Sequence, residues 1–210
     1  MEAFEHALVA YLQDVLQAIG WPGVVLIMAL ESANVPIPSE VPMPLAGWML
    51  VQARGLSLWH AILLGGFYGA LGCTIGSITN YLLGYYGGRP LLKEYGRYVL
   101  VNEEDLEQAD RWFAHWGNWA VFLSRMVPLA RTFISFPAGV TKLHLGQFTL
   151  FTFLGSFVWC ALLTVAGYWF GSQWEVIRSY MRPFDIPILL ALAAGLGYYV
   201  YQHVRGRKRS

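Results

Sequence analysis

Residues 31–44 read Glu31-Ser-Ala-Asn-Val-Pro36-Ile-Pro38-Ser-Glu40-Val-Pro42-Met-Pro44. Four prolines at alternate positions forbid a continuous helix. Yet the flanks are lipid-like, Trp21 to Leu30 before and Leu45 to Val51 after. Each flank is half a span at best, because a ~30 Å hydrocarbon core needs about 20 helical residues. The economical reading is a re-entrant hairpin: a half-helix in, an extended Pro-rich tip, a half-helix out. Irregular backbone of this kind is tolerated at membrane depth only where protein or water covers it.

A second broken segment lies over 117–145. Trp119 to Leu123 runs into Ser124-Arg125-Met-Val-Pro128-Leu-Ala-Arg131-Thr-Phe-Ile-Ser-Phe-Pro137-Ala-Gly139. Each broken segment leaves through a short Pro-Gly exit (Pro44-Leu-Ala-Gly47; Pro137-Ala-Gly139) and is followed by a long apolar helix, over 60–86 and 148–171. Gly72, Gly84 and Gly88 recur at the same separations as Gly155, Gly167 and Gly171. Gly72 and Gly76 form a GxxxG pair, which lets another helix approach closely. A third span is expected over 184–203. The two halves therefore read as one repeat used twice.

The bulk composition agrees with a membrane protein. Of 210 residues 56% are hydrophobic and only 13% charged, about half the charge of a soluble domain. High hydrophobicity excludes intrinsic disorder. A net charge of +1 offers no basic face for nucleic acid. Cys73 and Cys160 sit in apolar runs without CxxC spacing and read as small buried hydrophobes. The N-terminus carries acid where a signal peptide would carry Lys or Arg, so a cleaved signal is not expected.

The fold class that follows is an all-α polytopic membrane protein. It is an inverted repeat with two opposed re-entrant hairpins, three full transmembrane spans and amphipathic surface helices. One membrane domain covers 1–210: an N-terminal amphipathic helix (1–20), repeat 1 (21–88), an amphipathic linker (89–116), repeat 2 (117–172), a C-terminal span (183–204) and a basic tail (205–210). Phe4, Leu8, Tyr11, Leu12, Val15, Leu16 and Ile19 recur at helical spacing in the first segment, as in a helix lying at the membrane surface. In the linker, Asn102 is the expected N-cap of a second surface helix. Basic residues set the orientation. With Arg205–Arg209 in the cytoplasm, Arg89, Lys93, Arg97, Arg111 and Lys142 also lie inside, whereas Arg54, Arg178 and Arg182 lie outside. The linker is then cytoplasmic. The two hairpins open to opposite sides and meet near the midplane, a transporter design.

Glu31, Glu40, Arg125 and Arg131 are the charges placed deep in apolar context. Each costs about 2.5–3.5 kcal/mol at a helix centre on insertion scales. Two readings stay open. They are structural pairs that lock the hairpins together, or the arginines bind an anion while Glu31 and Glu40 carry protons. An arginine pair forms a fork suited to phosphate. Ser32, Asn34, Ser39, Ser124 and Thr132 would complete a headgroup site or cap broken backbone. Asn80 and Tyr81 fall within the first long span; Tyr81 and Trp159 read first as packing aromatics. The five histidines show no metal-ligand spacing, so neither a metal nor another cofactor is expected. No nucleophile elbow, P-loop or GxGxxG occurs, which argues against an enzyme or an ATP-driven pump.

The ordered set resembles the DedA membrane-protein family, the VTT-domain type. It comprises Glu31-x8-Glu40 with Pro36, Pro38 and Pro44-Leu-Ala-Gly47; Gly72-x3-Gly76-x4-Tyr81-x2-Gly84; Phe122-x2-Arg125-x2-Pro128-x2-Arg131; Pro137-Ala-Gly139; and Gly155-x3-Trp159. The resemblance covers residues 20–172. It implies opposed re-entrant hairpins, a bacterial inner-membrane location and lipid-carrier transport. Several members are regarded as flippases returning undecaprenyl phosphate to the cytoplasmic face. Others are linked to phosphatidylethanolamine, and distant eukaryotic relatives to lipid scrambling. Arg125 and Arg131 match the family's functional pair, and Glu31 its first acid. Where many members place an Asp about a dozen residues further on, this chain has Met43, and Glu40 stands in from a shifted position. The implied partners are the membrane and a lipid phosphate; a homodimer and a lipid phosphatase or headgroup transferase remain as alternatives.

Overall fold

Helices account for the regular structure throughout the described residues of this computed structural model, namely 2–34, 39–99, 118–127, 131 and 134–171. Asn102, the third span over 183–204, the basic tail, Thr132 and the proline tip at Pro36 and Pro38 lie outside them. In chain order the elements are α1 (Glu2–Ile19), α2 (Trp21–Ser32), α3 (Pro42–Ala46), α4 (Leu58–His60), α5 (Gly66–Val99), α6 (Asn118–Ser124), α7 (Ser135–Val140) and α8 (Leu145–Phe170). A π-turn (Gly47–Val51) and a 3-10 turn (Gln52–Arg54) continue α3, and a second π-turn (Ala61–Gly65) joins α4 to α5.

α2 stops at Ser32, and Asn34 turns the chain in a left-handed conformation (φ 71). Pro42 and Pro44 depart from the expected extended tip: both lie in the short helix α3, with Pro42 in its first turn, where its missing N–H has no partner anyway. α1 forms as an amphipathic helix and packs on protein along one edge. Its Leu12 and Leu16 are fully buried in one cluster with Val24, Ile27 and Met28 of α2 and Met43 and Leu45 of α3, while Tyr11 and Ile19 stay exposed. α5 continues as helix to Val99, past Gly87-Gly88, where its apolar stretch ends.

Leu58–Gly87 and Leu145–Phe170 are long and apolar enough to cross a membrane. They run antiparallel, with Gly65 against Thr164, Gly69 against Cys160 and Tyr81 stacked on Phe148. On α8 the outward stripe is Leu150, Leu154, Val158 and Leu162, whereas the buried face carries Thr152, Gly155, Ser156, Cys160, Thr164 and Gly167. A buried face of small and weakly polar residues under an apolar exterior is the pattern of helix packing in lipid.

The broken segments pack crosswise. α2 lies on α5 and α6 on α8, but α3 crosses to α8 and α7 crosses to α5. The recurring glycines mark these crossings in pairs. A Cβ on Gly72 would stand 2.8 Å from Met28 Cβ, and one on Gly155 2.9 Å from Arg125 Cβ. At the exits, Gly47 faces the Thr164 carbonyl and Gly139 the Tyr81 carbonyl; Gly167 faces Pro44 and Gly84 faces Phe136, again at carbonyls. Any side chain at these four positions would collide with backbone. Gly47→Ala or Gly167→Ala is therefore expected to destabilise the protein by about 1–3 kcal/mol, as overpacking does. Gly146→Ala, whose nearest neighbour is the movable His144 ring, should change little; thermal unfolding in detergent measures the difference.

Candidate functional site

Where α2 ends and α6 gives way to irregular chain, four charged residues gather. Arg131 Nη2 lies 2.7 Å from Glu31 Oε1 and 3.5 Å from Glu40 Oε1. The Arg131 and Glu31 side chains are 9% and 6% exposed, and Glu40 is 43% exposed. Arg131 is thus shared between a buried acid and one at the edge of the cluster. Glu31 sits in the last turn of α2 and Glu40 lies just ahead of α3, and both reach Arg131.

A polar shell fixes Glu31. The Ser32 hydroxyl donates to Glu31 Oε2 over 3.4 Å, Asn80 Nδ2 of α5 donates to the Ser32 carbonyl at 2.8 Å, and Asn34 Nδ2 donates to Asn80 Oδ1 at 3.2 Å. On the other side the Arg131 guanidinium carbon lies 5.6 Å from the centre of the Trp159 ring, within cation–π range. Trp159 Nε1 donates to Ser39 Oγ at 3.4 Å. Trp159, expected to be a packing aromatic, is therefore a wall of the charged cluster. It follows Gly155 by one helical turn on α8.

Arg125 has a different environment. Its Nη1 donates to Ser77 Oγ (2.9 Å) and the Arg131 carbonyl (2.7 Å), and its Nη2 to Ser135 Oγ (2.9 Å) and Thr152 Oγ1 (3.2 Å). Its guanidinium carbon lies 5.8 Å from the centre of the Phe148 ring. Among the described residues no carboxylate pairs with it. Arg125 ties together α5, α7, α8 and the backbone that carries Arg131, so it positions the other arginine. Ser77, Ser135 and Thr152 were not singled out from sequence, although a hydroxyl on the buried face of an apolar span is a signal in its own right. Ser124 spends its hydroxyl on the Val121 carbonyl of its own helix at 2.7 Å. Met43, where the resemblance led to an acid, is fully buried in the apolar core.

Three buried nitrogens have no hydrogen-bond partner among the described residues: Arg125 Nε, Arg131 Nε and Arg131 Nη1. Arg131 therefore holds one acid firmly, a second loosely, and keeps donors unspent. An anion approaching the Nε–Nη2 edge in the bidentate geometry that guanidinium favours would have to displace Glu31 from Nη2.

Removing one member of a buried ion pair strands the other. Arg131→Ala is expected to cost about 3–5 kcal/mol of stability. The double variant Glu31→Gln with Arg131→Ala should cost less than Arg131→Ala alone, while Glu40→Gln should cost under about 1 kcal/mol because that carboxylate remains half in solvent. A double-mutant cycle by thermal unfolding in detergent reads all three.

The family model for the VTT domain matches residues 37–169. Undecaprenyl phosphate transporter A of Bacillus subtilis (strain 168) is 30% identical over 184 residues, 88% of each chain. The Staphylococcus aureus protein of the same name (strain NCTC 8325 / PS 47) is 27% identical over 208 residues, 93% of this chain and 96% of that one. A protein of Lactococcus lactis subsp. lactis (strain IL1403) named alkaline phosphatase-like is 30% identical over 188 residues, 85% of this chain and 84% of that one. No solved structure matches the chain significantly.

Proposed function

The chain belongs to the VTT-domain family, and from that premise we propose that it carries an anionic lipid phosphate, most simply undecaprenyl phosphate, across the bacterial inner membrane. The observation that carries this reading is Arg131, buried between two acids with donors unclaimed. Relatives named for undecaprenyl phosphate transport at comparable length support it. In this proposal the two broken segments are opposed re-entrant hairpins of an inverted repeat, and the paired glycine crossings are its internal symmetry. Three spans then place the C-terminus in the cytoplasm.

The mechanism rests on competition. The headgroup phosphate takes the Nε–Nη2 edge of Arg131, with Asn34 and Ser39 as candidate polar contacts, whereas Ser124, the third from sequence, keeps its hydroxyl on its own helix. Glu31 gives up Nη2. A buried carboxylate that loses its base neutralises by binding a proton, because leaving it ionised in an apolar setting costs far more. Glu40, at the cluster's edge, relays that proton inward from water. Phosphate binding and proton uptake are then linked by one guanidinium. The transmembrane potential supplies about 2.3 kcal/mol per charge per 100 mV to drive the cycle. The isoprenoid tail stays in lipid beside the outward leucines of α8. The second reading is movement of phosphatidylethanolamine or another phospholipid by the same route.

Liposomes containing the purified protein and a fluorescent short-chain polyprenyl phosphate test the proposal, with a membrane-impermeant quencher reporting which leaflet the headgroup occupies. Arg131→Gln is expected to slow movement about ten- to hundred-fold, the loss of charge-assisted bonds worth about 1.5–3 kcal/mol. Collapsing the pH gradient should slow the wild type. Unchanged movement in Arg131→Gln would mean non-selective scrambling, and release of inorganic phosphate would mean a lipid phosphatase; either result overturns the proposal.

A further inference from the structure

A cleft of about 410 Å³ opens at the end of the antiparallel pair where the first apolar span finishes and the second begins. Tyr81, Tyr85 and Tyr86 of α5 line one side, and Lys142, His144 and Leu145 the other. Its floor is fixed. Tyr81 is buried, stacks between Tyr85 and Phe148, and donates its hydroxyl to the Leu143 carbonyl. The rim is open, with Tyr86 81% exposed and both Lys142 and His144 exposed.

Lys142 stands where a glycine belongs. At the end of α7 its N–H donates to the Gly139 carbonyl and the Leu143 N–H to the Ala138 carbonyl, both at 3.0 Å. That pair of bonds forms a Schellman cap, whose left-handed position is usually glycine. Lys142 occupies it at φ 55, a conformation that costs an L-residue energy. In exchange the cleft gains an ammonium 5.9 Å from the centre of the Tyr85 ring. No carboxylate lines the cleft among the described residues.

We propose that this cleft binds the phosphate headgroup of an anionic membrane lipid at the membrane–water boundary, as a site separate from the Glu31–Arg131 cluster. Lys142 supplies the charge, and the Tyr85 and Tyr86 hydroxyls and the His144 ring supply hydrogen bonds. Tyrosine suits the boundary, where its ring meets apolar matter and its hydroxyl meets water. A lipid is favoured over free phosphate because exposed Leu82 and Leu145 continue from the cleft onto the spans' outer apolar surface. The site stands without the transport reading, since none of its residues belongs to the interior cluster.

The test uses the whole protein in nanodiscs of phosphatidylcholine with graded phosphatidylglycerol, and native mass spectrometry counts retained phosphatidylglycerol. Lys142→Gly is expected to weaken retention about five-fold, the worth of one basic residue near an anionic lipid surface, while raising the melting temperature by removing the strained backbone. Lys142→Arg should retain the lipid as wild type does. Arg54→Gln, at an exposed base outside the cleft, should leave this retention unchanged, which separates the cleft from general surface charge. Unaltered retention in Lys142→Gly, or equal loss in Lys142→Arg, overturns the proposal. Competition by millimolar inorganic phosphate as strong as that of the lipid would overturn the choice of ligand.

Discussion

A guanidinium and a carboxylate taken out of water stabilise one another only in contact; apart, each would impose the desolvation cost of an isolated ion. Arg131 and Glu31 come from different broken helical segments and meet at 2.7 Å. The remaining polar architecture follows from that meeting. Ser32 and Asn80 secure the end of α2, Trp159 covers the guanidinium, and Arg125 grips the carbonyl of the residue that carries it. The bundle can keep charge in its interior because the glycine crossings bring α2, α3, α6 and α7 close enough to share it.

The two arginines, similar on paper, divide the work. Arg125 gives both terminal nitrogens to hydroxyls and a carbonyl and acts as a brace. Arg131 faces both acids and keeps donors in reserve. Positions 43 and 40 divide by environment in the same way. Met43 fills apolar core beside Gly69, while Glu40, just past the bend, still reaches Arg131 from a wetter place.

Much of this was readable in the chain. Alternate prolines announce a broken helix, charges in apolar runs announce a site, and glycines at equal separations announce matching crossings. Other features needed three dimensions. Whether Ser77 or Thr152 points at an arginine or at its own helix depends on where the neighbouring helix crosses, and residue type does not encode that. Trp159 has the spacing of a packing residue and becomes a site wall only because Arg131 is placed over its ring. Ser124 could serve a headgroup or its own backbone, and spends its hydroxyl on the backbone. The docking of α1 was hidden because an apolar stripe looks the same whether lipid or protein covers it. The left-handed turn at Lys142 was hidden too, because a lysine gives no hint of positive φ.

The crosswise packing has a consequence for biosynthesis. α3 needs α8 and α7 needs α5, so neither half has a finished interior by itself. The ribosome releases the acid of α2 well before the base at position 131 exists. Until the second half arrives, the nascent first half must shelter an unmatched acid and a bare glycine furrow. An insertion chaperone, or a wet vestibule at the translocon, would find its clearest task in that interval.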